Sequence, residues 1–351
     1  MGKQVHIKEE EQMKTIWKLI IISLVVGLII AAVGFSTGAS QTLYWDNKGI
    51  HLPDDTESRI TEPDLGYFSS IDINTKFCDV EFVTSDKYGV DACGYGIEWD
   101  WSLDNNTLKV ATDKRMTVNF FNINISFSKL PGNYVKIYIP KDAELGTVIV
   151  DVDSGEVDIG GFRADSVRIS NAFGTVKIDS ISSDTLQINQ NSGDFTGTNL
   201  SANSLFHSNS FGSSHFSNVI ADRLKSDGDS TDISFDDCKF NEITVKNSFG
   251  KITGRDIISS RADIKQDSGD ISLTGDFTGE TIIRCSFGSV DLTTSREKTD
   301  YMYDITAKFG DISFDNESRS GDGTSIKGGN ASENSLKINV DSGDVDVRFA
   351  R

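Results

Sequence analysis

The sequence contains little proline, cysteine or histidine, with four residues of each among 351. The cysteines show neither a CxxC pair nor the cysteine–histidine spacing of a zinc site, so a zinc site or a thioredoxin-type centre is not indicated. No GxSxG, HExxH, Walker A or dinucleotide-binding glycine pattern occurs. We therefore predict a protein that is not an enzyme, with no catalytic, cofactor-binding or metal-binding residues that these patterns would identify.

Positive charge is also scarce, because 34 lysines and arginines stand against 53 aspartates and glutamates and leave a net charge of −19. Such an acidic surface repels phosphate backbones and anionic lipid headgroups. Nucleic acid is therefore excluded as a partner. Cations or basic partners remain compatible with the charge.

One long apolar run lies near the N-terminus, where LIIISLVVGLIIAAVGF (19–35) contains no charged residue. With its flanks it predicts one transmembrane helix over 16–38. The nearest lysines precede this segment, so the N-terminus is expected in the cytoplasm and residues from about 39 onward outside the cell, in a single-pass protein of the cell membrane. A cleaved signal peptide is the alternative.

The remaining sequence is rich in glycine, serine, asparagine and aspartate, and it repeats. Written in blocks of nineteen from Asp151, it aligns without a gap as far as Thr294. Apolar residues alternate within each block, which is typical of strands with one buried face. We predict an all-β fold: a single-stranded β-solenoid whose 19-residue coils each contain two or three short strands and stack about 4.8 Å apart.

The fifth position of each block is glycine with one exception, which predicts a turn or a close backbone approach that a Cβ would obstruct. The fourth position alternates strictly between serine and phenylalanine, so the true period is two coils. We prefer a packing role for these phenylalanines, each covering space left by the next serine, over a ladder that stacks on a ligand. They are Ser154, Phe173, Ser192, Phe211, Ser230, Phe249, Ser268 and Phe287.

Acidic or amide residues flank the turn in each coil of the serine type. If these turns stack two coils apart, their oxygens could bind Ca²⁺ as a cofactor, although Asp-Ser-Gly-Asp is also ordinary turn chemistry and the structural interpretation is preferred. The pairs are Asp153 and Glu156, Asn191 and Asp194, Asp229 and Asp232, Asp267 and Asp270, and Asp341 and Asp344.

Other conspicuous residues have structural interpretations too. Cys238 and His207 fall in core columns, and Cys285 falls in a different column from Cys238, which argues against a disulfide between them. Disulfides remain possible outside the membrane, and Cys78 with Cys93 is the one pair close in sequence. The alternating aromatic series from Tyr95 to Trp101 predicts the core of an N-terminal cap, or otherwise rings offered to a sugar or a membrane surface.

The predicted organisation is a cytoplasmic tail (1–15), the membrane segment (16–38), a linker (39–65), irregular coils or a cap (66–142) and a regular solenoid (143–351). A glycine- and serine-rich loop is inserted near 315–334. KFGDISF before this loop and DSGDVDV after it restore the motif.

The strand pair in IDINTKFCDVEFV, the YVKIYIP segment and the recurring SGD and FG turns resemble the putative-adhesin family of β-strand-repeat domains, often Gram-positive envelope proteins with one N-terminal membrane helix. The resemblance covers residues 66–351. It implies a membrane-anchored cell-surface binding or scaffolding protein without catalytic activity, whose partner is an envelope polymer, a surface or a protein. An accessory role in envelope-stress sensing and a calcium-binding surface rod are the alternatives.

Overall fold

The computed structural model describes residues 44–46, 49–51, 57–95, 97–112, 132–329 and 333–350. The predicted tail and membrane segment lie outside these ranges, and within them no helix is both long and apolar enough to cross a bilayer. The chain forms two compact units, the smaller from residues 1–56 and 115–128. Its described part is the antiparallel pair of β1 (Tyr44–Asp46) and β2 (Gly49–His51).

The larger unit contains a regular stack of parallel strands. Val157 pairs with Val176 and Ile159 pairs with Ile178, and the same offset of nineteen residues recurs in successive coils. The all-β class and the 19-residue repeat are thus confirmed. The strands are β10 (Ala143–Ser154), β11 (Val157–Phe173), β12 (Val176–Ser192), β13 (Phe195–Thr198), β14 (Ser201–Ser217), β15 (Ile220–Asp236), β16 (Lys239–Phe249), β17 (Ile252–Ser268), β18 (Ile271–Phe287) and β19 (Val290–Thr294).

Most coils consist of one long strand rather than two or three short ones. β11 and β12 each run for 17 residues without a break. The chain nevertheless turns within β11, because the alternation of buried residues changes phase between Ile159 and Phe162 and again between Ala164 and Val167. Gly161, with φ +76°, lies at the first of these corners. Pairing with the neighbouring coils continues around the corners, which is why the strand is not interrupted.

The N-terminal end of the stack is closed out of chain order. Two strands of residues 70–85 pair with the first regular coils, and two later strands (107–112 and 134–140) pair with their outer side. Three antiparallel strands complete this end. In order these strands are β3 (Glu57–Glu62), β4 (Ser70–Thr75), β5 (Asp79–Ser85), β6 (Gly89–Tyr95), β7 (Trp99–Asp104), β8 (Thr107–Thr112) and β9 (Tyr134–Pro140).

The aromatic residues of β7 support the predicted cap core. Trp99 and Trp101 are half-buried and pack against the main hydrophobic core. The Trp99 indole nitrogen donates a hydrogen bond to the carbonyl of Ser58 at 3.1 Å. These two rings are therefore held in the cap rather than presented to a ligand.

The C-terminal end is also out of chain order, an arrangement that the repeat pattern does not predict. β18 pairs with the strand over Asn334–Ser342, which in turn pairs with the strand over Tyr301–Phe309, so the last coil lies between two earlier ones. The predicted loop near 315–334 contains two short strands, which pair antiparallel with the two strands that precede them. These strands are β20 (Tyr301–Phe309), β21 (Ile312–Phe314), β22 (Glu317–Arg319), β23 (Thr324–Gly328), β24 (Asn334–Ser342) and β25 (Val345–Phe349), after a 3₁₀ turn at Lys298–Asp300.

Candidate binding surface

The glycine turns of successive coils lie directly on one another. A Cβ on Gly174 would stand 2.0 Å from the carbonyl oxygen of Gly155, and a Cβ on Gly193 would stand 1.9 Å from that of Gly174. Both glycines have φ +133°, which disfavours a side chain as well. The predicted close approach of backbones is confirmed. Because no side chain intervenes, the turns of successive coils can stack as closely as the strands do.

A column of buried amide side chains supports these turns from inside. Gln190 Nε2 donates to the carbonyls of Gly174 at 2.7 Å and of Asp194 at 3.3 Å. Five coils hold such a group at the second position, and each of these side-chain amides donates hydrogen bonds to carbonyls of the turns. The amide members of the column are Asn171, Gln190, Asn209, Asn247 and Gln266. The sequence does contain a signal for this column, because an amide recurs at the second position of the coils. A search for apolar columns alone does not detect it.

The aspartates at the sixth position of the serine-type coils, directly after the glycine or Thr231, accept hydrogen bonds from the backbone of the next coil. Asp232 Oδ1 accepts a hydrogen bond from the Lys251 amide at 2.9 Å, and Asp270 Oδ1 accepts one from the Ser289 amide at 3.0 Å. Asp194 accepts both the amide and the hydroxyl of Ser213. These contacts support the turn-chemistry interpretation. Within the described ranges, no three acidic, histidine or cysteine side chains gather as a metal site would require.

The phenylalanines of the fourth position project into solvent, and the predicted packing role is therefore wrong. The exposed fraction of each side chain lies between 53% and 65%. The position directly precedes the turn. The residue two positions earlier is buried in every case and is an amide in three of the five coils, so it takes the inward-facing place and the ring faces outward. We call these residues the phenylalanine row: Phe173, Phe211, Phe249, Phe287 and Phe309.

Serines separate the members of this row. Phe211 pairs on one side with Ser192 and on the other with Ser230, and Phe287 pairs on one side with Ser268 and on the other with Ser342. Adjacent phenylalanines are thus two coils apart, or about 9.6 Å at the usual strand spacing. A row of evenly spaced, exposed aromatic rings along one edge is a surface that a ligand can reach.

The buried histidine and cysteines do not contribute to this surface. His207 lies in the core against Phe195 and Phe216, its Nδ1 is 2.9 Å from the Ser226 hydroxyl, and burial lowers its pKa to about 3. Burial raises the pKa of Cys238, and likewise of Cys285, to about 11. These groups are uncharged near neutral pH and enclosed, so they are unsuited to nucleophilic or acid–base chemistry.

Cys93 and Cys78 are not joined by a disulfide. Cys93 carries a thiol whose sulfur lies 3.5 Å from Glu57 Oε1. Burial is the main cause that raises the pKa of Cys93. The early cysteine pair therefore serves the packing of the N-terminal end in this structure.

Stacked parallel coils with a glycine turn edge define an all-β repeat protein. The chain belongs to the Toastrack DUF4097 family, whose profile matches residues 68–348. This match confirms the predicted resemblance to β-strand-repeat domains of the putative-adhesin type.

Several solved structures are similar to the chain at low identity. A putative adhesin from Bacteroides fragilis is 15% identical, with a TM-score of 0.43 over 68% of this chain and 99% of that one. A putative adhesin from Parabacteroides distasonis is 14% identical, with a TM-score of 0.38 over 68% of this chain and 92% of that one. A putative lipid binding protein from the same species is 17% identical, with a TM-score of 0.37 over 69% of this chain and 94% of that one. No protein of curated function matches the chain significantly.

Proposed function

We propose that the protein is a non-catalytic binding or scaffolding protein of the cell surface, which holds a stack of coils outside the membrane and binds an envelope component along one edge. The N-terminal apolar run would anchor it, with residues from about 39 onward extracellular. The acidic composition supports a partner that is neutral or basic rather than an anionic lipid or a nucleic acid.

The phenylalanine row is the observation that carries this proposal. Exposing one large apolar side chain is common, but five of one type at the same position of alternate coils form a pattern. None of the five is needed to fill the core, because serine occupies the same position in the coils between them. Repeated exposed aromatic residues with no role in the core are typical of recognition surfaces.

The proposal is tested by the retention of the purified full-length protein on isolated cell envelopes. Phe211→Ser combined with Phe249→Ser converts two coils to the serine type already present in the fold, so we expect the variant to fold as the wild type does. We expect retention to fall clearly in this variant. Phe206→Ser is the matched control, because Phe206 is 44% exposed but lies outside the row. Equal retention of all three proteins would contradict the proposal and favour an accessory role in signalling.

A further inference from the structure

We infer that the phenylalanine row binds an extended cationic polypeptide in the polyproline II conformation. This inference rests on the proposed function and specifies the class of ligand. It follows from two properties of the turn edge, which are the spacing of its aromatic rings and the sign of the charge beside them.

The spacing of the rings matches the polyproline II repeat. Rings two coils apart are separated by about 9.6 Å. A polyproline II helix has three residues per turn and presents the same face about every 9.3 Å. Over the four intervals from Phe173 to Phe309 the mismatch accumulates to about 1.2 Å, which side-chain rotation can absorb. The row therefore offers one ring to every third residue of such a ligand.

Other regular conformations fit less well. A β-strand shows the same face every second residue, or about 6.8 Å, so its side chains would fall out of step with the rings after one interval. An α-helix repeats a face after seven residues, or about 10.5 Å, and over four intervals it would drift by about 3.6 Å. Polyproline II segments are also a usual ligand of aromatic surfaces, because they lose little entropy on binding.

The charge beside the row selects a cationic ligand. The position two residues after each fourth-position serine or phenylalanine is acidic in six coils, and Lys251 is the one basic residue found there among the described coils. In the serine-type coils these carboxylates stand between successive rings along the stack. None of Asp194, Asp232, Asp270 and Asp344 takes part in an ion pair within the described part of the chain. The acidic residues are Glu156, Asp194, Asp232, Asp270, Asp311 and Asp344.

A ligand with a basic side chain in each triplet would thus place an apolar residue on every ring and a positive charge beside every intervening aspartate. Arginine suits this edge, since it pairs with a carboxylate and can also lie over an aromatic face. A second copy of this chain would bring a second acidic edge against the first, and an anionic bilayer would be repelled in the same way. Charge complementarity therefore favours the cationic polypeptide over both.

The test is the binding of a fluorescein-labelled peptide of repeated Pro-Pro-Arg triplets, about fifteen residues long so that it spans the row. Fluorescence anisotropy is measured with the purified full-length protein. We expect Phe211→Ser with Phe249→Ser to weaken binding by about tenfold or more, since two ring contacts are lost. Phe206→Ser should bind as the wild type does. Asp232→Asn with Asp270→Asn should weaken binding at low salt and matter less at high salt.

An alanine–arginine helical peptide of the same charge is the second probe. Equal affinity for the two peptides, or equal loss in the Phe206→Ser control, would overturn the inference, because binding would then reflect charge alone. Absence of peptide binding with envelope retention still dependent on the row would overturn this ligand class and leave the proposed function standing. Absence of peptide binding together with envelope retention that does not depend on the row would overturn both this inference and the proposed function. Self-association that Phe211→Ser abolishes would identify a second copy as the occupant.

Discussion

Phe287 lies directly beside Ser342 in the stack, although Phe309 comes first along the chain. The last coil is inserted between the coil of Phe287 and the coil of Phe309. This order preserves the alternation of serine and phenylalanine, which stacking in chain order would break by placing two phenylalanines together. It also keeps neighbouring rings of the row two coils apart up to its C-terminal end.

Engineered disulfides test the order of these coils. Arg284 pairs with Asn339, whereas Thr306 lies one coil further away on the other side of Asn339. Paired residues of adjacent strands have Cα atoms about 5 Å apart, within the range that a disulfide bridges, and residues two coils apart do not. We expect Arg284→Cys with Asn339→Cys to crosslink under mild oxidation. Mass spectrometry of the digested protein identifies the bond.

Arg284→Cys with Thr306→Cys is the control for that experiment. It should remain reduced under the same conditions, because about 9.6 Å separates strands two coils apart. The native Cys285 faces the buried side of the same strand, so it is protected from the oxidant. A crosslink in the second pair and none in the first would show that the coils stack in chain order after all.

The regular coils could be predicted from the sequence because each property of the repeat leaves a mark in one residue. Gly174 marks the close approach of backbones, and Val157 marks the inward face. The insertion of the last coil was not predicted, because it changes which coils are neighbours without changing the pattern within a coil. The serine–phenylalanine alternation did contain that information, since Phe287, Phe309 and Ser342 alternate only if the last coil comes between the other two.

The outward direction of the row could not be predicted from alternation alone. Counting by twos from Asn171 places Phe173 inside, but the turn at Gly174 begins there and the ring leaves the core. A corner changes the phase of the pattern, and its position depends on backbone conformation rather than on hydrophobicity. Hydrophobic periodicity is therefore least able to predict, for residues next to a turn, whether a side chain faces the core or the solvent.

Gly193→Ala should destabilise the protein strongly. Its Cβ would stand 1.9 Å from the Gly174 carbonyl oxygen, which belongs to a packed backbone and cannot move aside, and φ there is +133°. We expect a loss of about 3 kcal/mol or more in the free energy of unfolding, measured by chemical denaturation. Gly146→Ala is the control, because the atom nearest to its Cβ is 3.6 Å away. Similar losses in both variants would contradict the backbone clash.

His207 should make the stability of the protein depend on pH. Burial lowers its pKa from 6.5 to about 3 in the folded state. The unfolded chain therefore binds a proton first as the pH falls, and stability is lost between about pH 6.5 and 3. His207, Ser226 and Val245 occupy the same position in three successive coils, so valine is already accepted in this column. The double substitution His207→Val with Ser226→Ala therefore removes the titrating group and its hydroxyl partner together. The thermal midpoint of this variant should fall less on acidification than that of the wild type, whereas parallel curves would contradict the assignment.

Asp232 separates the structural interpretation of the acidic turns from calcium binding. Its Oδ1 accepts the Lys251 amide, an acceptor role that an asparagine oxygen can also fill. We expect Asp232→Asn to have nearly the same free energy of unfolding as the wild type. Asp232→Ala should lower the free energy of unfolding by about 1 kcal/mol, because alanine leaves the Lys251 amide without its partner. Both variants are compared by thermal unfolding with and without millimolar calcium. If calcium raises the wild-type midpoint and Asp232→Asn removes that increase, the carboxylate binds the ion, because the amide keeps the hydrogen bond but not the charge.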